Sequence, residues 1–345
     1  MAQVTKLFFH VSGENSSLPY AEIEAILEAE RVNFQSSMKY PQLLCIEADV
    51  RALSTVINRS SYTRTNGVAI LKCNATEKAI IQSARGVSYR PFLKQGQTFS
   101  VKIRRVGGAK LNVLKLEAAI GRIILQKVKE VKVNLGNPDV CFFGVASPIK
   151  FMLGNKYFET SRRYLKRPLK NRPFVHPSSM APKLARTMIN LARVKKGDVV
   201  LDPFCGSGSI LIEGASMGLK MVGTDIDLRM LRGARRNLRY FSVPYEGVIV
   251  SDARCLSITN VNHVVTDPPY GRGASTRGVT TRKLINEFLL EALTVLPKGG
   301  FVSIALPSTI PTCEVLERLG NHCVEEHLLR EHKSLTRKIM VIKKA

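Results

Sequence analysis

Five consecutive residues carry the most specific chemistry in this 345-residue chain: Asp267-Pro268-Pro269-Tyr270-Gly271. They follow an apolar run, Val261 to Val265, that reads as a buried strand. A strand that stops at Asp-Pro-Pro sets an acid and a backbone carbonyl at the carboxyl edge of a sheet, where open α/β sheets bind ligands. Each proline fixes its own φ and disfavours the α conformation of the residue before it, so Asp267 and Pro268 are held extended. The carboxylate of Asp267 and the carbonyl of Pro268 then form two neighbouring acceptors, with the ring of Tyr270 beside them. Such a site suits a planar nitrogenous ring carrying an exocyclic amino group. The plainer alternative is a turn with a capping Asp and a packed Tyr. It suffices for Asp-Pro alone, but not for all five residues after an apolar strand.

A second constellation precedes it. The strand Asp198–Leu201 runs into Asp202-Pro203-Phe204-Cys205-Gly206-Ser207-Gly208-Ser209. Gly206 and Gly208 let the backbone approach a ligand closely, and the helix behind offers its N–H groups to an anionic end. About twenty residues on, Asp225 ends the next strand where a ribose-diol acceptor sits in nucleotide-binding folds. Asp252 ends the third strand and is placed to accept from an adenine amino group. Position 211 is Leu, so the dinucleotide fingerprint G-x-G-x-x-G is incomplete. A capping role explains Asp225 or Asp252 singly. The ordered set, a G-x-G loop and then acids after strands two, three and four, is the layout of an S-adenosylmethionine pocket with a target-base site at its mouth.

The elements that must position these residues alternate as strand and helix from Met180 on, with helices over Met180–Ala192, Ile210–Met217, Leu228–Tyr240, Arg282–Leu296 and Pro311–Leu319. This predicts one doubly wound α/β domain closed by strands at Cys323–Leu329 and Lys338–Ile342. The front half reads differently. Lys6–Val11, Tyr20–Glu30, Val32–Gln35, Leu43–Ala48 and Arg51–Ile57 follow as strand, helix, strand, strand, helix, a small ferredoxin-like unit, with the four Glu of Tyr20–Glu30 on its polar face. A second module has strands at Gly67–Cys73, Thr98–Arg104, Val140–Val145 and Pro148–Leu153 and helices at Thr76–Ala84 and Asn112–Val128, with Thr76 as an N-cap. The expected domains are 1–60, 61–155, a basic linker 156–175, and 176–345.

Charge indicates the partner. The chain carries 52 Lys+Arg against 27 Asp+Glu, a net +25. That excess points to a polyanion, nucleic acid before membrane. Residues 1–180 hold 28 basic and 12 acidic residues, net +16, so the front half is the expected docking surface. Lys102, Arg104, Arg105 and Lys110 gather around the Gly107-Gly108 turn, a place where backbone N–H groups meet phosphates. Residues 161–172, SRRYLKRPLKNR, hold six positive charges and no negative one, which puts Arg162 and Arg163 among the expected RNA contacts. The seven cysteines are scattered without a Cys-x-x-Cys pair, which argues against a zinc site and fits a reducing cytosol. No 18-residue apolar run or signal-peptide core is present, so a cytoplasmic protein with no membrane partner is expected.

At this point a resemblance enters. Asp202 to Ser209, Asp225, Asp252 and Asp267 to Tyr270 look like the motifs of Rossmann-like amino-group methyltransferases. Phe99 to Gly108 and Val133 to Asp139 resemble a THUMP RNA-binding domain. Together with Tyr270-Gly271-Arg272 and His332-Lys333-Ser334-Leu335-Thr336-Arg337, the chain resembles the archaeal-type tRNA guanine-10 N2-methyltransferases over nearly its whole length. The fold this implies is a Rossmann-like S-adenosylmethionine-dependent methyltransferase domain behind an α+β ferredoxin-like plus THUMP module. The resemblance assigns Asp202, Pro203, Cys205, Gly206, Ser207, Gly208, Asp225, Ile226, Asp252, Ala253 and Asp267 to the cofactor, S-adenosyl-L-methionine. It assigns Asp267, Pro268, Pro269 and Tyr270 to catalysis, adds Arg272 to the RNA contacts, and implies no metal. It implies tRNA as partner, and some relatives also work with a small zinc-containing protein.

The implied chemistry is N2 methylation of guanine, giving N2-methyl- and N2,N2-dimethylguanosine. The small residues of Gly271-Arg272-Gly273-Ala274-Ser275 either leave room for the second methyl or merely make a mobile substrate loop. Sister families act on guanine 6 of tRNA or on ribosomal RNA. Outside them stand a DNA adenine N6-methyltransferase, a non-catalytic RNA-binding protein and, weakly, a nicotinamide-dependent dehydrogenase.

Overall fold

The structure, a computed structural model, describes residues 4–160, 163–270, 280–310, 320, 322–332 and 335–345. Arg162, Arg272, the Gly271–Ser275 loop, the helix expected at 311–319 and Lys333-Ser334 lie outside the described residues, as does the side chain of Arg163. The chain divides into two compact units. Residues up to 160, less 24–30 and 59–61, make the first; those two stretches and the residues from 163 on make the second.

The first unit is built on one eight-stranded sheet. Its elements are β1 (Val4–Val11), α1 (Leu18–Ala29), β2 (Phe34–Tyr40), β3 (Leu43–Asp49), α2 (Arg51–Arg59), β4 (Thr63–Asn74), α3 (Glu77–Gly86), β5 (Thr98–Arg105), α4 (Val113–Lys127), β6 (Lys132–Val133), β7 (Val140–Ala146) and β8 (Lys150–Glu159). The strand order is β2-β3-β1-β4-β8-β7-β5-β6. β4 pairs antiparallel with β1 on one side and with β8 on the other. The ferredoxin-like order is therefore completed by β4, from beyond residue 60, and the division expected there falls within one sheet. The linker expected from 156 likewise begins inside β8. Both differences arise because strand pairing is non-local, and a composition shift does not report it.

Local signals in this unit read well. Thr76 and Asn112 cap α3 and α4, accepting from the N–H groups of Ala79 and Lys115. Of the four Glu expected on the polar face of α1, Glu22 is instead fully buried, and it accepts from the backbone N–H of Tyr62 at 3.0 Å. The partner lies forty residues away, so helical spacing alone assigns Glu22 to solvent. The core under the β5–β7 half is aromatic: Tyr89, Phe99, Phe142 and Phe151 are buried around Ile120 and Ile124 of α4. Each ring of this size contributes about 2 kcal/mol on leaving water.

The second unit carries α5 (Pro182–Leu191), β9 (Val199–Asp202), α6 (Ser209–Ser216), β10 (Lys220–Asp225), α7 (Leu228–Tyr240), β11 (Gly247–Val250), β12 (His263–Thr266), α8 (Thr281–Val295), β13 (Phe301–Pro307), β14 (His322–His332) and β15 (Leu335–Lys343). The sheet order is β11-β10-β9-β12-β13-β15-β14. The first five strands run parallel. β15 enters antiparallel to β13, and β14 lies outside it. The order reverses between β9 and β12, which makes that carboxyl edge the topological switch point where ligands of such sheets bind. Phe288, Leu289 and Ala292 of α8 cover Val264, Val302 and Ile304 there.

Candidate active site

The glycine-rich loop leaves β9 at Asp202 and enters α6 at Ser209. Gly206 and Gly208 have φ of +51° and +84°, the left-handed region in which a side chain is strained. A Cβ on Gly208 would also come within 3.2 Å of Ala234 on α7. The loop is braced from β10: Cys205 N–H donates to the Thr224 carbonyl at 2.8 Å, and Gly206 N–H to Asp225 Oδ2 at 2.9 Å. Asp225 Oδ1 takes the Asp227 N–H. Burial is the first cause of the raised pKa of Asp225. Beside Asp225 the apolar side chain of Ile226 stays 37% exposed, while Cys205, Ser207 and Ala253 are buried.

Asp202 is the most enclosed acid of the site. The Thr266 hydroxyl at the end of β12 donates to its Oδ1 at 2.7 Å, and the Phe204 N–H at 3.3 Å. Burial pushes its carboxyl up to about 8, against those two hydrogen bonds, and the charges of Asp267 and Asp225 add to the rise. Asp202, Asp225 and Asp267 therefore share one electrostatic neighbourhood at the carboxyl edge of β9, β10 and β12. Asp252, after β11, has its carboxylate held by Arg254, whose Nε and Nη2 donate at 3.0 and 2.6 Å; Arg254 also faces Glu287 at 3.7 Å. The acid expected to accept from adenine is thus already shared with an arginine two residues on.

β12 is four residues long and fully buried, paired with β9 and β13. It ends before Asp267 because the two prolines that follow have no N–H for the ladder. Pro268 is buried, and Asp267, Pro269 and Tyr270 are half-buried. Arg337 of β15 reaches this turn. Its Nη1 lies 3.4 Å from Asp267 Oδ2, and its Cζ is 5.5 Å from the centroid of the Tyr270 ring. Sequence reasoning places Arg337 only in a closing segment and gives it no role. The signal that finds it is the register of β15 on β13, which sets Arg337 opposite Pro307.

The segment expected to be a basic linker in contact with nucleic acid turns two of its arginines inward. Arg167 makes a bidentate pair with Glu213 of α6, at 2.8 and 2.9 Å, and Glu213 has no exposed surface. Arg186 of α5 approaches the same carboxylate at 3.5 Å. Arg172 is buried, and its Nη1 donates to Ser209 Oγ at 2.7 Å; burial lowers its pKa to about 10, so it stays charged at neutral pH. Farther along, Asn237 of α7 bonds both Phe174 and the Ser207 carbonyl, and the hydroxyls of Ser179 and Ser207 lie 2.7 Å apart. Residues 167–179 are thus bonded to the glycine loop and the helices behind it. Lys166 and Lys170 remain as outward charges of this segment.

In the first unit, Lys102, Arg104, Arg105 and Lys110 are all exposed. Lys102 and Arg104 share a face of β5, and Arg105 starts the turn at Gly107-Gly108. His10, buried against the Phe143 ring, has a pKa lowered to about 4, first by burial and then by the positive charges of Arg64 and Arg104. Arg64 therefore adds to this basic cluster, and sequence reasoning misses it because forty residues separate it from Arg104. Among the described residues no group of three or more His, Cys, Asp or Glu could hold a metal, and the described cysteines are free. No described helix is long and apolar enough to cross a membrane.

Comparison with known proteins agrees with both units. Residues 170–338 match the RMKL-like methyltransferase domain family, and residues 74–144 match the THUMP domain. The fold resembles the crystal structure of TrmN from Thermus thermophilus, with a TM-score of 0.55 at 22% identity, covering 99% of this chain and 100% of that one. The tRNA (guanine(10)-N2)-dimethyltransferase of Methanothermobacter thermautotrophicus is 36% identical over 97% of this chain and 98% of its own. That of Methanocaldococcus jannaschii is 33% identical over the same shares. With a THUMP match in front, a methyltransferase match behind and end-to-end similarity at this level, the chain belongs to the tRNA (guanine(10)-N2)-dimethyltransferase family.

Proposed function

We propose that this protein methylates the exocyclic N2 of guanine 10 in tRNA, first once and then a second time, with S-adenosylmethionine as donor. The observation that carries the reading is the Asp267-Pro268-Pro269-Tyr270 turn at the switch point, within the electrostatic reach of Asp202 and beside the braced glycine loop. The pocket fits the donor. Gly206 and Gly208 open the backbone, Asp225 offers carboxylate oxygens to a diol, and Ile226 offers its exposed apolar part to an adenine ring. When bound, S-adenosylmethionine supplies a methyl group on a sulfonium, ready for an in-line nucleophile.

The residues of the chain do the rest. Guanine N2 is a poor nucleophile because its lone pair is delocalised into the ring. Asp267 and the Pro268 carbonyl accept its two hydrogens and turn the lone pair toward the incoming carbon, so most of the acceleration is positioning. As the new C–N bond forms, positive charge grows on nitrogen. The Asp267 carboxylate stabilises it and takes the departing proton. Tyr270 stacks on a base that has left its helix. The exposed Lys102, Arg104, Arg105 and Lys110, with the half-buried Arg64, offer positive charge to the RNA backbone. A second methyl is proposed because the full-length archaeal relatives carry that activity in their names.

The deciding experiment incubates the purified chain alone with labelled cofactor and unmodified tRNA and maps the product. Label at guanine 10, passing from mono- to dimethylguanosine with time, is the expected result, and it also means that no zinc-containing partner is required. Transfer to another nucleotide, or to DNA only, overturns the reading.

A further inference from the structure

Arg337 ends a segment that carries the family resemblance but has no assigned role, yet its guanidinium touches two of the four residues proposed for catalysis. Nη1 approaches Asp267 Oδ2 at 3.4 Å, and Cζ lies 5.5 Å from the Tyr270 ring centroid. The two ends of the ion pair are 16% and 13% exposed, so water screens it only in part. The surroundings make a cation there consequential. Asp202 from β9 stands near Asp267, close enough for the Asp267 charge to raise its pKa, and Asp225 from β10 acts on Asp202 in the same way. Arg337, delivered by β15, brings a cation to this acidic group at Asp267. Its planar fork holds a carboxylate oxygen in a fixed direction, and its flat face suits an aromatic ring.

We propose that Arg337 is a positioning residue for methyl transfer: it holds the Asp267 carboxylate in its accepting orientation and clamps one face of Tyr270, so that the target base stacks on the other. The inference rests on the assignment of Asp267 as the acceptor for N2. It makes the last two strands of the sheet part of the catalytic apparatus rather than a structural edge.

The test is a double-mutant cycle in the full-length protein, with steady-state methylation of tRNA and cofactor binding as separate readouts. Arg337→Ala is expected to lower kcat by about ten- to a hundredfold, the scale of one positioned charge-assisted contact, and to leave cofactor affinity within about threefold of wild type. Combined with Asp267→Asn it is expected to add less than about threefold to the loss of Asp267→Asn alone, because both changes remove the same interaction. Arg337→Lys should recover part of kcat, keeping the charge and losing the stacked plane. Where the alanine variant melts early, Arg337→Met keeps an unbranched apolar stem of similar packing without the guanidinium and gives the same comparison. Near-wild-type kcat in Arg337→Met, or losses that multiply fully in the double variant, overturns the inference. Near-wild-type turnover in Asp267→Asn itself would instead overturn the functional reading beneath it.

Discussion

At the scale of single residues, the site is legible where the chemistry is local and hidden where it is not. Asp267 to Tyr270 can be read because four consecutive residues hold the acceptors and the ring. The roles of Arg337 and Arg64 cannot, because sheet pairing and not spacing brings Arg337 near Asp267 and sets the charges of Arg64 and Arg104 about His10. Asp267→Ala is expected to lower methyl transfer by about a hundredfold or more while cofactor affinity barely changes, since the carboxylate acts on the growing positive charge. Turnover near wild type would end the mechanism. Asp202 gives a prediction of a different kind. Its carboxyl titrates at about 8 in the folded protein, against about 4 in an unfolded chain. Between those values the native state holds a proton that the unfolded state lacks. Its contribution to stability is therefore present at low pH and falls as pH rises, by about 1.4 kcal/mol per unit until the folded value is passed. Asp202→Asn keeps an oxygen for the Thr266 hydroxyl and the Phe204 N–H but cannot ionise. Urea unfolding at pH 5, 6, 7 and 8 should show wild type losing stability relative to this variant. Parallel curves would place the proton elsewhere.

At the scale of elements, helix and strand positions follow the sequence patterns closely, and the misreadings share one cause. A run of positive charge reads as a solvated face until its counter-charge is known, and the partner of Arg167 lies 46 residues later in α6. Glu213 shows what that pairing is worth. Glu213→Ala leaves Arg167 and Arg186, both mostly buried, without the carboxylate between them. Loss of one partner in such a buried cluster costs about 3–5 kcal/mol, so a large drop in melting temperature is expected. A melting temperature within a degree of wild type would mean that water replaces the carboxylate freely. The same pairings bear on where the second unit begins. A fragment started at residue 176 omits Arg167 and Arg172, so Glu213 loses its bidentate partner and keeps only Arg186, and the Ser209 hydroxyl at the start of α6 loses its donor. One started near residue 163 keeps them.

At the scale of the whole molecule, the net charge of +25 predicts tRNA affinity that falls steeply with salt as counterions are released. Replacing Lys102, Arg104 and Arg105 by Glu should weaken tRNA binding and flatten its salt dependence, by about 0.7–0.9 log units per log unit of salt for each phosphate that is no longer neutralised. Cofactor affinity should not move. An unchanged slope would put the docking surface elsewhere on the protein. The fold class is readable from the alternation of strands and helices; the single sheet of the first unit is not, because β4 belongs to two patterns at once. The order β13-β15-β14 bears on synthesis. β14 leaves the ribosome before β15 but is attached to the sheet only through it. Until β15 emerges, the β13 edge from Phe301 to Pro307 stands bare and β14 has no strand to join. A nascent chain thus already carries its acceptor turn and glycine loop while the arginine that faces that turn is still in the exit tunnel, and the strand that closes the sheet is the one that brings it.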